Sequence, residues 1–102
     1  MILKDFNETF DYELREPEFA RAYLEEALND EYPETFLIAL RDVVRANGGM
    51  SAASREIAVN RESLYNSLSE NGNPNYKTLV SLLDLLGMRI ALIPKDSTKQ
   101  AA

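Results

Sequence analysis

The chain contains no cysteine and no histidine. The first absence excludes disulfides, thiolate nucleophiles and cysteine-ligated zinc. The second removes the commonest general base and the commonest transition-metal ligand. No apolar run approaches 18 residues, so no membrane-spanning helix is expected. The opening Met1-Ile2-Leu3-Lys4-Asp5-Phe6 turns acidic at once and does not read as a signal peptide. With 102 residues there is room for one domain, but not for a cofactor domain beside a substrate domain. Any catalysis would fall to Asp, Glu, Lys, Ser or Tyr. The adjacent acids Glu25 and Glu26 diverge on a helix and make no catalytic pair. We expect no catalytic site, no metal site and no cofactor.

The charge is unevenly spread. The whole chain carries −6, which opposes binding to nucleic acid. Residues 1–34 hold three basic and eleven acidic groups, a net of −8. Residues 35–102 hold eight basic and six acidic groups, a net of +2. Such asymmetry suggests two surfaces with different partners, or simply a solvated acidic helix.

Periodicity predicts an all-α domain of five helices with one short strand. Residues 1–15 fit neither period and read as an extended or partly ordered arm. Pro17 suits a first helical turn, after which Ala20, Tyr23, Leu24, Ala27 and Leu28 form an apolar stripe. Pro33 opens a second helix through Phe36, Leu37, Leu40, Val43 and Val44, stopped by Gly48-Gly49. Ser51 is a candidate cap for a short helix bearing Ala53, Ile57 and Ala58, and Asn60 for the next, bearing Leu64 and Leu68. Asn71-Gly72-Asn73-Pro74 marks a loop. Asn75 can cap a last helix, which ends at Gly87. Residues 88–93 alternate as a strand up to Pro94. The expected organisation is an acidic arm and helix over residues 1–32, a helical domain over 33–94 and a flexible tail over 95–102.

Residues 50–68, MSAASREIAVNRESLYNSL, carry the functional signal. Small or apolar residues recur where two short helices must touch, at Ala53, Ser54, Ile57, Val59 and Leu64. This is the helix-turn-helix pattern, whose second helix enters the major groove. Glu62, Asn66 and Ser69 point away from Leu64 and Leu68, with Arg61 and Tyr65 on the shoulder. Arg fits guanine, Asn fits adenine and Glu accepts from cytosine. Asn60 and Ser63 stand at the start of that helix, where backbone amides can meet phosphate. Ser51, and Asn75 with Lys77, are further phosphate candidates. Arg41 and Arg45 read as ordinary surface charges.

Residues 19–93 resemble the addiction-module antidote proteins, HigA-like antitoxins with a lambda-repressor-type helix-turn-helix. The resemblance rests on residues 22–28 (AYLEEAL), residues 39–46 (ALRDVVRA) and above all Arg61-Glu62-Ser63-Leu64-Tyr65 followed by Asn71-Gly72-Asn73-Pro74. It implies a five-helix lambda-repressor-like fold, a cytoplasmic homodimer, repression of its own operon and a partner toxin of the RelE/ParE type. By position it puts Arg61, Glu62 and Asn66 where such repressors read bases. Two residues depart from the pattern: Met50 stands where many have a backbone-contacting Gln, and Ala58 where the turn usually has Gly. The acidic residues 1–32 become the candidate toxin-binding segment. The alternative is a helical interaction module, or a transcriptional regulator with no toxin partner.

A lone strand cannot satisfy its own backbone hydrogen bonds. Its mate could be residues 1–3, the same segment of a second copy or a partner protein, and Leu82 and Leu85 could instead pack under the N-terminal helix of the same chain. We expect a symmetric dimer through Leu82, Leu85, Met88, Ile90 and Leu92. Its two recognition helices would lie about 34 Å apart on a palindrome.

Overall fold

A computed structural model describes residues 10–95. Those residues form six helices: α1 (residues 10–14), α2 (Pro17–Leu28), α3 (Glu34–Ala46), α4 (Gly49–Glu56), α5 (Arg61–Ser67) and α6 (Tyr76–Leu85). α2 packs on α3, α3 on α4, and α4 on both α5 and α6. Five of the six match the expected helices.

The helix starts follow local chemistry. Pro17 occupies the first turn of α2, and the Glu16 carboxylate accepts the Phe19 amide at 2.7 Å. Asn60 caps α5 by accepting the Ser63 amide at 2.9 Å, and Asn75 caps α6 by accepting the Thr78 amide at 2.8 Å. α3 is strongly amphipathic and buries Ala39, Leu40, Val43, Val44 and Ala46. One core gathers these with Leu14, Ala20, Leu24, Ala27, Met50, Ala53, Leu64, Leu68, Leu82 and Leu83. The described part of the acidic segment thus shares its core with the rest of the chain.

Four expectations are corrected. Residues 10–14 are helical, not an extended arm; the rest of that arm lies outside the described residues. The four-residue spacing of Phe10 and Leu14 puts both on one helical face. Leu14 is fully buried, while Phe10 meets the ring of Tyr23 edge-on at 5.3 Å. Leu28, at the end of the apolar stripe, is exposed. Residues 88–93 form no strand, because no other described segment offers them a ladder. Met88 packs against the core, but Leu92 is 93% exposed. Leu82, expected at a dimer surface, is 0% exposed within the single chain. α6 turns it inward, so only Leu85, Ile90 and Leu92 of that set show substantial apolar surface.

Polar contacts tie the N-terminal elbow to α3. Asn47 donates to the Val43 carbonyl at 2.9 Å and to the Leu14 carbonyl at 3.0 Å. Arg15 donates to the Ala46 carbonyl at 2.9 Å. Carbonyls at the ends of both helices are thereby satisfied. Arg45 pairs with Asp11 at 2.7 Å and Asp42 at 3.0 Å, and the Tyr23 hydroxyl donates to Asp42 at 2.8 Å. On the surface of α2, Arg21 pairs with Glu18 at 2.7 Å and also with Glu25.

Burial, then the bond to Asp42, pushes the Tyr23 phenol up to about 12. An unfolded tyrosine titrates near 10. As pH rises from about 10 to 12 the unfolded chain loses this proton first, so the folded state loses stability over that window. We predict that Tyr23→Phe costs about 1 kcal/mol at pH 7. The gap between the variant and the parent should narrow by pH 11 in denaturant unfolding curves.

Candidate nucleic-acid interface

Four residues, Ile57 to Asn60, turn the chain from α4 into α5. Ala58 makes the reversal possible by adopting φ +59°, the left-handed region. Its N–H donates to Arg55 O, and the Val59 N–H donates to Ser54 O at 3.0 Å. The resemblance usually has Gly at this position, and this chain has Ala. The turn is formed, with backbone strain at an alanine.

Ser54 lies under the corner, buried in the α4 face. Its hydroxyl donates to the Ser51 carbonyl at 2.8 Å, so the polar atom is satisfied inside its own helix. A small side chain here keeps α4 and α5 close. Leu64 and Leu68 fill the space beneath α5.

Ser51 is not the cap of α4. The N-cap is Gly48, three residues earlier, at φ +111°, and no side chain caps the helix. Gly48 and Gly49 both take left-handed φ, so the helix starts straight out of the glycine turn. Ser51 sits exposed in the first turn. Met50 is buried in the core and presents no polar group from the position where the resemblance expects Gln. Gly72 is a steric requirement of the loop after α5, since a Cβ there would lie 2.1 Å from Ser67 O.

The opposite face of α5 is exposed at Arg61, Glu62, Ser63, Tyr65 and Asn66. Among the described residues, Arg61, Glu62 and Asn66 make no side-chain hydrogen bond or ion pair. Ser69 is half-buried and spends its hydroxyl on the Asn66 carbonyl at 2.6 Å. Asn60 uses its side-chain oxygen as the α5 cap. Asn75 does the same for α6, beside an exposed Lys77.

Beside this face lies a cleft of about 500 Å³. Arg41, Arg45, Gly48, Gly49, Met50, Ser51, Arg61 and Tyr65 line it. Three arginines from α3 and α5 therefore share one opening. Arg41 stands over the Tyr65 ring, 5.0 Å from its centroid. The hydrogen bond to Asp11 holds the Arg45 guanidinium further into its charged range. Asn75 and Lys77 do not line the cleft. Sequence reasoning missed Arg41 and Arg45 as part of this site. The available signal was their four-residue spacing on α3, just before a glycine turn that brings α4 alongside. The described residues hold no cluster of His, Cys, Asp or Glu able to bind a metal. No described helix is long and apolar enough to cross a membrane.

Residues 3–94 match the family model described as probable addiction module antidote protein. The chain belongs to this family. An uncharacterized protein of Haemophilus influenzae is 36% identical over 87 residues, covering 85% of this antidote-family chain and 87% of that protein. No solved structure matches.

The turn gives this antidote-family protein a direct stability test. Left-handed backbone costs an L-residue about 1–2 kcal/mol, and glycine gives back about 0.5–1 in unfolded-state entropy. We predict that Ala58→Gly stabilises the fold by about 0.5–1 kcal/mol. Ala58→Val should destabilise it. Thermal melts of the three proteins check the order.

Proposed function

We propose that this chain is the antitoxin of a toxin–antitoxin module and represses its own operon. In this reading α5 enters the major groove of operator DNA. Arg61 pairs with guanine, Asn66 with adenine, and Glu62 accepts from a cytosine amino group. Ser63 and Ser51 offer hydroxyls to phosphates, and Lys77 at the start of α6 offers a charge. Asn60 and Asn75 orient the helix starts from which those contacts are made. The carrying observation is the exposed face of α5, where Arg61, Glu62 and Asn66 make no side-chain hydrogen bond or ion pair among the described residues and which borders an arginine-lined cleft.

The toxin-binding role falls to residues 1–32. The proposed partner is a small basic toxin of the RelE/ParE type. The net −8 of residues 1–34 would speed its approach by electrostatic steering. Exposed Leu28 and Tyr32, beside Glu26, Glu31 and Asp30, offer apolar contacts within that acidic surface. The proposed working unit is a cytoplasmic homodimer, formed through Leu85, Ile90 and Leu92, with Met88 at the margin. Its two α5 helices would be spaced for a palindrome. No catalytic step is assigned to the chain.

A second reading is an interaction module that never meets DNA. The overall charge of −6 and the buried Met50 favour it. Two assays on the full chain separate the readings. The chain should bind a duplex from just upstream of its own gene, with affinity falling as salt rises, because each phosphate contact releases a counterion. It should also rescue growth arrested by the neighbouring basic reading frame and co-purify with its product. Rescue without DNA binding would select the second reading, and failure of both would refute the antitoxin account.

A further inference from the structure

Arg41 lies on α3, outside the α4–α5 pair, yet it reaches the recognition face. Its guanidinium stands 5.0 Å from the centroid of Tyr65, a residue of α5. Its neighbours are differently engaged: Arg45 is paired with Asp11 and Asp42, and Arg21 with Glu18 and Glu25. Among the described residues no carboxylate pairs with Arg41, although acids outnumber bases by seventeen to eleven in this chain. Arg61, also without a carboxylate partner among those residues, lines the same cleft.

An aromatic ring holds a guanidinium in place without neutralising it. The N–H donors of Arg41 have no oxygen acceptor among the described residues, and the side chain is already restrained. A pre-positioned cation facing an open cleft of about 500 Å³ suits an oxyanion on an extended polymer. We infer that Arg41, held by the ring of Tyr65, clamps one backbone phosphate of the bound DNA beside the base-reading face of α5. The clamp rests on the DNA-binding reading above. It gives Tyr65 a positioning role in place of base contact. It also ties α3 to the duplex, so that the register of α5 is set from two elements.

The full-length chain is titrated with two duplexes, one from just upstream of its own gene and one scrambled to the same composition. Arg41→Gln should weaken binding to both by a similar factor, about tenfold. It should lower the slope of log affinity against log salt by about 0.9, the signature of one lost phosphate. Tyr65→Phe should bind like the parent, and Tyr65→Leu should weaken binding to both duplexes alike. Parental DNA binding with unchanged affinity and salt slope in Arg41→Gln would overturn the clamp and leave the DNA-binding reading standing. A loss confined to one duplex would make Arg41 a base reader and also overturn it. No DNA binding by the parent at low salt would overturn both. Circular-dichroism melts confirm that each variant is folded.

Discussion

The corner between α4 and α5 depends on a small, buried serine near the end of α4 and on a left-handed turn residue after it. Ser54 satisfies its hydroxyl within α4 and accepts the Val59 amide on its carbonyl. The corner closes only because Ala58 takes a left-handed φ. Overpacking a core position typically costs about 1–3 kcal/mol. A larger residue at Ser54 would pay that penalty by pushing α5 outward. Arg61, Glu62 and Asn66 are turned outward on α5 because Leu64 and Leu68 face the core from the other side of the same short helix.

The remaining helices hold that corner steady and give it electrical context. α3 packs on α4 and contributes Arg41 and Arg45 to the cleft. Asn47 and Arg15 anchor the elbow between α1 and α2 to the end of α3. Asp11, Asp42 and Tyr23 surround Arg45. The acidic N-terminal third thus takes up one arginine of the cleft, while Arg41 and Arg61 keep their charge unpaired among the described residues. A net charge of −6 conceals this local separation, which is why the total alone misjudges the cationic side.

The legible features were those encoded over three or four residues. Pro17, Asn60 and Asn75 marked helix starts, and the stripes of α3 and α5 marked the buried faces. The misread features depended on distant partners. One turn of helix at residues 10–14 holds because Phe10 and Leu14 find α2 and the core, not through propensity. Ser51 looked like a cap, but the glycine pair started the helix three residues sooner. Alternation in residues 88–93 cannot create a ladder without a neighbouring strand. Leu82 and Leu85 look alike as letters, and only the rotation of α6 against α4 decides which is buried. Arg41 was missed as a site residue because its partner, Tyr65, is 24 positions away and on another helix.

In the proposed function, DNA lies against the outer face of α5. Backbone amide spectra of the isotope-labelled chain, recorded with and without a duplex from just upstream of its own gene, test it residue by residue. Shifts should concentrate at Arg61 to Asn66 and at Gly49 to Ser51, while the exposed acidic side of α2 stays unmoved. Shifts concentrated on α2, with α5 silent, would contradict it.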